Sequence, residues 1–385
     1  MTEAGDLSTE LLVIGAGPYG LSTAALARER GFETVIVGRP MAFWRENMPE
    51  RMFLRSGPDW HIDASGVHTL AAYLEDQAIA RKDVDPIPIQ VFLDYCDWFR
   101  SVKGIDVRED VVADLARRDG KFEATLSGGD RIVADAVVCA PGIRDYAHVP
   151  DWASSVPAGR AAHTCDVVRF DEFTGSRVMF VGGRQSAYEW AALIREHGAE
   201  RVDIVHRHDV PRFDRVSWTF ADAHVENTIN VRGYWRNLSK SERDSIARRF
   251  WEAGRLTFEY WLIPRLDWAG LYRWPGTEVV ETRSASGNGL SVTLSNSERL
   301  SVDHVVFASG YVADLGRVPY LARLVGQIEC SNGFPVLDDA FGTSLTGLYI
   351  IGFSATQDFG PFFGFVRGCP AAATLVVRDL LARTG

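Results

Sequence analysis

A short apolar run, Leu11 to Ile14, ends in Gly15-Ala16-Gly17-Pro18-Tyr19-Gly20, where a helical pattern begins and runs on to Gly31. A second apolar run, Thr34 to Val37, follows. Strand, tight turn, helix and strand in that order commit this part of the chain to a parallel βαβ unit. Gly15 permits the turn, Gly17 lets the backbone approach a pyrophosphate, and Gly20 allows the helix to pack on the strand. The helix N-terminus turns free N–H groups and about half a positive charge toward the phosphates. The motif marks a dinucleotide site with Gly15, Gly17, Pro18 and Gly20 as binding residues.

One position departs from the pattern. The acidic residue that usually holds the adenosine ribose is expected at the end of the second strand, where this chain has Gly38 followed by Arg39. Either Arg39 takes over the ribose contact or it is a solvated loop residue.

The pattern returns from Arg177 to Val181, with Gly182-Gly183-Arg184-Gln185-Ser186-Ala187 as the turn, a helix after it, and a strand from Val202 to Val205. Gly182 matches Gly15, Arg184 matches Gly17 and Ala187 matches Gly20. Two such turns in one chain are far more specific than one. Gly182, Gly183, Arg184, Gln185 and Ser186 are the expected contacts, with Arg184 bringing a cation to the phosphates where backbone approach is usual. His206-Arg207-His208 follow the strand, and no acid appears before Asp209. A ribose 2′-hydroxyl is held there by a carboxylate and a 2′-phosphate by cations, so Arg207 favours NADPH over NADH. The alternative is that all three are surface residues of a βα loop. Each unit closes with a strand and a small-residue turn, Ala140-Pro141-Gly142 and Ala308-Ser309-Gly310. Between the units, Val111 to Ala134 alternates like antiparallel hairpin strands.

Composition narrows the classes. At 385 residues, 46% hydrophobic and 24% charged, the chain has material for two or three cores and is not a disordered polymer. A net charge of −10 argues against a nucleic-acid partner. No run approaches the ~20 apolar residues needed to cross a bilayer, so no membrane role and a cytoplasmic location are expected. The five cysteines are scattered, with no C-x-x-C and no histidine-rich cluster, which predicts reduced thiols and no metal site.

Together these residues resemble the flavoproteins with two dinucleotide-binding domains, and among them the FAD- and NADPH-dependent monooxygenases of N-hydroxylating, Baeyer–Villiger and flavin-containing type. The resemblance covers nearly the whole chain. It implies an α/β fold of two Rossmann-like domains, with FAD on the first turn and NADPH on the second. The FAD domain would comprise 1–164 and 306–385, with the NADPH domain, 165–305, nested inside it. Gly159 and His163 keep the spacing of the monooxygenase fingerprint, with Pro157 where phenylalanine is usual. His163 is otherwise a linker histidine satisfying a backbone group. Trp44 is expected against the flavin ring. Gly142, Gly310, Gly352 and Phe359 are expected to line the flavin site, and the final helix from Cys369 would turn its N-terminus to the ring.

The stretch at about 211–275 holds six of the eleven tryptophans and exceeds what a compact nicotinamide domain needs, so it reads as a helical insertion. Trp218, Trp235 and Trp261 are its candidate substrate contacts, with a satellite core or a dimer interface as the other reading. Gln357 and Asp358 are the candidate catalytic polar residues. The implied activity is hydroxylation of a small aromatic or apolar molecule with FAD, NADPH and O2 through a flavin hydroperoxide. NADPH-dependent reduction of a thiol, quinone or iron–sulfur partner is the alternative. A non-catalytic flavin-binding regulator is a third reading, and assembly into a homo-oligomer is left open.

Overall fold

The computed structural model of the chain describes residues 7–210, 212–285 and 289–384. β1 (Leu7–Ile14), α1 (Pro18–Glu29) and β2 (Thr34–Val37) form the first unit. β3 (Arg177–Val181), α2 (Gln185–Glu196) and β4 (Arg201–His206) form the second. Pro18 opens α1, where its missing N–H has no intrahelical partner to lose.

β1 lies between β2 and the strand Arg131–Cys139, parallel to both. That nine-residue strand is shared. Its first residues pair antiparallel with Lys121–Leu126, which pairs with Val112–Arg118, and its last three pair parallel with Leu348–Ile350. Both ends of the chain thus build one sheet. In the second sheet all five strands run parallel, ordered Leu271–Pro275, β4, β3, His304–Phe307, Ala161–His163. Both are α/β sheets of the Rossmann type. The second outruns the 165–305 expected for it, starting at Ala161 and ending at Phe307. Leu271–Pro275, grouped with the insertion at sequence level, is its edge strand; the exposed Tyr272 and Arg273 disguise it as polar chain.

The two longest helices of the insertion are α3 (Phe220–Asn230) and α4 (Lys240–Arg255). Ser239 and Glu242 close a reciprocal capping box at the start of α4. Pro211, the first residue of the expected insertion, lies outside the described residues. Its aromatic content is divided between two cores. Trp218, Val225, Trp235 and Phe250 are buried with the first lobe, and Phe258, Leu262 and Leu266 with the second. The last helix, α5 (Cys369–Thr384), packs against α1. Among the described residues no helix is long and apolar enough to cross a membrane, and no group of three His, Cys, Asp or Glu side chains could hold a metal ion.

Candidate cofactor and substrate cavity

The two glycine turns are built alike. The Gly15 N–H donates to Val37 O at 2.8 Å and the Gly182 N–H to Val205 O at 2.9 Å. Gly15 has φ +107° and Gly182 φ +124°, and a Cβ on either would stand 2.3 Å from a carbonyl oxygen, of Ala140 and Ala308 respectively. Both positions therefore exclude a side chain. Gly17 is different. Its backbone is extended at φ −82°, and a Cβ there would meet nothing within 4 Å. Nothing in the fold demands glycine at 17, which leaves room beside the α1 N-terminus for a phosphate to approach the backbone. At the matching place Arg184 adopts the same extended backbone, φ −104°, and caps α2.

A cavity of about 1230 Å³ runs past both turns. That exceeds the ~300–1,000 Å³ of a pocket for one small ligand and suits more than one. Gly15, Gly17, Pro18, Gly20, Arg39, Trp44, Gly142, Gly310 and Gly352 line it from the first lobe and the crossovers, and Gly182, Gly183, Arg184, Gln185, Ser186 and Arg207 from the second. The donor set fits two dinucleotides: open glycine backbone and a helix N-terminus at each turn, with a cation added at the second.

Five sequence-level candidates stand elsewhere. Asp358 turns its carboxylate to the Leu337 N–H at 2.8 Å, away from the cavity, whereas its neighbour Gln357 does line it. Phe359 is stacked on Phe341 at 3.6 Å between ring centres, inside the core. Trp235 is buried edge-on to Phe362 and close beneath Gly360, and Trp261 packs on Phe53 at 5.1 Å. Of the three insertion tryptophans only Trp218 reaches the cavity. Among the described residues the lining of the cavity ends at Val366, three residues before α5 begins. His163 is buried, with Nε2 at 3.1 Å from Gly310 O and Nδ1 at 3.1 Å from Cys165 Sγ. It ties one crossover between the lobes to the other and does not line the cavity.

The Arg39 side chain pairs with Glu46 at 2.5 Å on the surface, and Arg207 lies 3.7 Å from Glu278. The reason for glycine at 38 is now visible. A Cβ there would stand 2.8 Å from Ala16 N, so no carboxylate fits at that point. In the second unit the sizes are exchanged. His206 occupies the place of Gly38, and Gly183, the counterpart of Ala16, would put a Cβ 2.3 Å from the His206 ring. Burial pushes His206 down to about 4, so the ring is neutral and acts as packing, held by Tyr188 Oη at 3.2 Å.

The cavity is also walled by a packed aromatic cluster, in which the Trp218 ring centre lies 6.1 Å from Trp60, 5.5 Å from Phe250 and 6.1 Å from Phe365. Its polar side was missed at sequence level. Arg55 donates to Glu259 at 3.1 Å and to Thr257 O at 2.8 Å, and its guanidinium lies 5.4 Å from the Trp218 ring centre. Glu189, one turn after Gln185 on α2, is buried and accepts the Phe53 N–H at 3.0 Å. Burial pushes this carboxyl up to about 7, against the pull of that N–H and of Arg265 and Arg55. Burial likewise lowers Arg55 and raises Glu259. The i, i+4 spacing of Gln185 and Glu189 just after a nucleotide turn was the available signal. Cys165 is the one cysteine on the cavity, and burial raises its thiol.

Two α/β sheets with paired glycine turns on a common cavity define a flavoprotein with two dinucleotide sites, an oxidoreductase that takes FAD and NADPH. The chain belongs to the pyridine nucleotide-disulphide oxidoreductase family, whose pattern matches residues 9–237. It is 28% identical over 354 residues to an FAD-dependent urate hydroxylase of Xanthomonas campestris, covering 83% of this chain and 69% of that one. It is 26% identical over 322 residues to a ferredoxin–NADP reductase of Paraburkholderia phymatum, covering 81% and 72%. An ornithine N-hydroxylase of Kutzneria sp. 744 shares its fold with a TM-score of 0.80 at 15% identity, over 98% of this chain and 100% of that one.

Proposed function

We propose that the protein is a flavin-dependent monooxygenase that uses FAD, NADPH and O2 to hydroxylate a small aromatic or apolar molecule. The observation that carries this reading is the aromatic wall of Trp60, Trp218, Phe250 and Phe365, which lines the same cavity as the two glycine turns. Electron delivery to a protein partner needs no enclosed chamber, whereas oxygen transfer needs a dry one. The hydroxylase among its relatives supports the same reading. A dithiol mechanism would need two sulfurs at the cavity, and only Cys165 is there.

When bound at the two turns, FAD and NADPH would supply the two electrons that, with two protons, let one atom of O2 enter the substrate and the other become water. The chain does the rest. The turns at Gly15–Gly20 and Gly182–Ala187 grip the two diphosphates from neighbouring walls of one cavity, which brings the reactive rings together. The indole and phenyl faces exclude water and hold a flat or apolar molecule against the ring site. Glu189, half-protonated near neutral pH, can hold or release a proton at its carboxyl oxygen beside the cavity. Arg55 is neutralised by Glu259, which keeps this side of the cavity from selecting strongly for net charge. The unpaired thiols fit a reducing compartment, and we assign the enzyme to the cytoplasm.

The test is a substrate screen with 18O2, scored by mass spectrometry of the product. Substrate-stimulated NADPH oxidation with one labelled oxygen in the product is expected. Oxidation supported by ferredoxin or a quinone, with no label in any organic product, would replace this reading with the reductase.

A further inference from the structure

Two guanidiniums meet on one indole at the edge of the second turn. Arg184, the N-cap of α2, places Cζ 4.3 Å from the ring centre of Trp251, and Arg255, the last residue of α4, places its Cζ 5.1 Å from the same ring. Both distances are within cation–π reach, so the indole offsets part of the repulsion between the two charges. It supplies no counter-charge. Among the described residues neither guanidinium has an ion-pair or hydrogen-bond partner, although 25 arginine and lysine contacts with carboxylates occur among them. Both side chains are partly buried and both line the cavity. Burial, joined by Arg255 and Arg207, brings Arg184 down to about 10, and burial alone lowers Arg255. Gathering like charges in a half-buried place without an anion is costly, and a folded chain normally pairs them.

We propose that Arg184 and Arg255, held on Trp251, form a clamp for the diphosphate of the nicotinamide dinucleotide, so that α4 of the insertion is part of the nucleotide site. The inference rests on the reading that the second turn holds that cofactor, and adds to it two residues of the insertion. Position decides between the phosphates. Arg184 stands where the first turn has Gly17, at the N-terminus of a twelve-residue helix, the place where a diphosphate approaches. Arg207, at the end of β4, is the cation on the ribose side. Arg255 therefore faces the group that NADP+ and NAD+ have in common. Its partner Trp251 keeps the fork oriented while the site is open, which lowers the ordering cost of binding.

The experiment is a titration of the flavin-loaded protein with NADP+, NAD+ and ADP-ribose, followed by calorimetry and by tryptophan fluorescence. R255A, and R255Q of similar length, are compared with R249A, a change on the same helix α4 at a guanidinium that lies over Phe220 of α3. A lost hydrogen bond to a charged group corresponds to a rise in Kd of about tenfold or more, and this is expected for all three ligands with both Arg255 variants. R249A should bind like wild type. Equal affinity in R255A and wild type, or a loss confined to NADP+, would overturn the diphosphate clamp. Wild-type protein that binds none of the three ligands would instead overturn the placement of the cofactor at the second turn. Flavin absorbance and circular dichroism report whether each variant is folded, and R255Q remains decisive if R255A is not.

Discussion

The first and second nucleotide units share a backbone and differ in where they put bulk. Gly15 and Gly182 exclude a side chain for the same reason, a carbonyl oxygen 2.3 Å from any Cβ, so the turn itself tolerates no variation. One contact away, the units diverge. Ala16 packs on Gly38 in the first, and Gly183 packs on His206 in the second, a size exchange across one strand-to-turn contact. A third pair, Gly17 and Arg184, shares an extended backbone free of protein contact at Cβ in the first unit. A fourth lies on the helices, where Ser22 of α1 corresponds to Glu189 of α2. Positions fixed by the fold are thus invariant between the units, positions fixed by mutual packing co-vary, and positions that face the cavity in the second unit, Arg184 and Glu189, are free to specialise.

The sharpest way to break this comparison is at the shared glycines. G15A should yield protein that takes up no flavin, and G182A should stay yellow while losing NADPH binding. Each strained position costs about 1–3 kcal/mol before the clash is added. Equal flavin content in G15A and wild type, by absorbance, would show that the turn yields. Next, G183A should destabilise by about 1–3 kcal/mol through the His206 ring, and H206A should rescue it in a double-mutant cycle. Additive urea midpoints would mean that the size exchange is a coincidence.

Glu189 separates the units by pH. Its folded-state value, about 7, is raised by burial above the ordinary carboxyl range. Between about pH 4.5 and 7 the folded state therefore holds a proton that the unfolded chain has lost, and stability falls as pH rises through that window. E189Q should remove about 1–3 kcal/mol of this dependence, read from urea unfolding at pH 5 and pH 8. A slope unchanged by E189Q would place the titrating group elsewhere. S22A, which removes a buried hydroxyl with no hydrogen-bond partner among the described residues, should change stability by less than about 1 kcal/mol at either pH. R207A should weaken NADPH about tenfold more than NADH if Arg207 meets the 2′-phosphate, and equal loss would reassign it.

What could be seen in the sequence follows from range. The βαβ units were legible because turn, helix and strand are written in consecutive residues, and the paired turns gave the class of protein. Gly38 looked like a defect because its reason, the backbone of Ala16, sits across a strand pair. Trp235 and Trp261 looked like ligand contacts because an aromatic side chain reads the same whether it walls a cavity or fills a core. Arg55 reaches Glu259 and Thr257, some 200 residues away, and Arg255 meets Arg184 across the insertion. No local pattern announces such pairs.

The insertion has a mechanical consequence. Trp218 and Phe250 lie in one lobe's interior and Phe258 and Leu262 in the other's, with only a few residues between them along the chain. Heat or urea cannot loosen either interior without tugging the staple that runs through both. The two halves should melt together in one cooperative step, so that unfolding, unlike a change at one turn, takes both cofactors' seats at once.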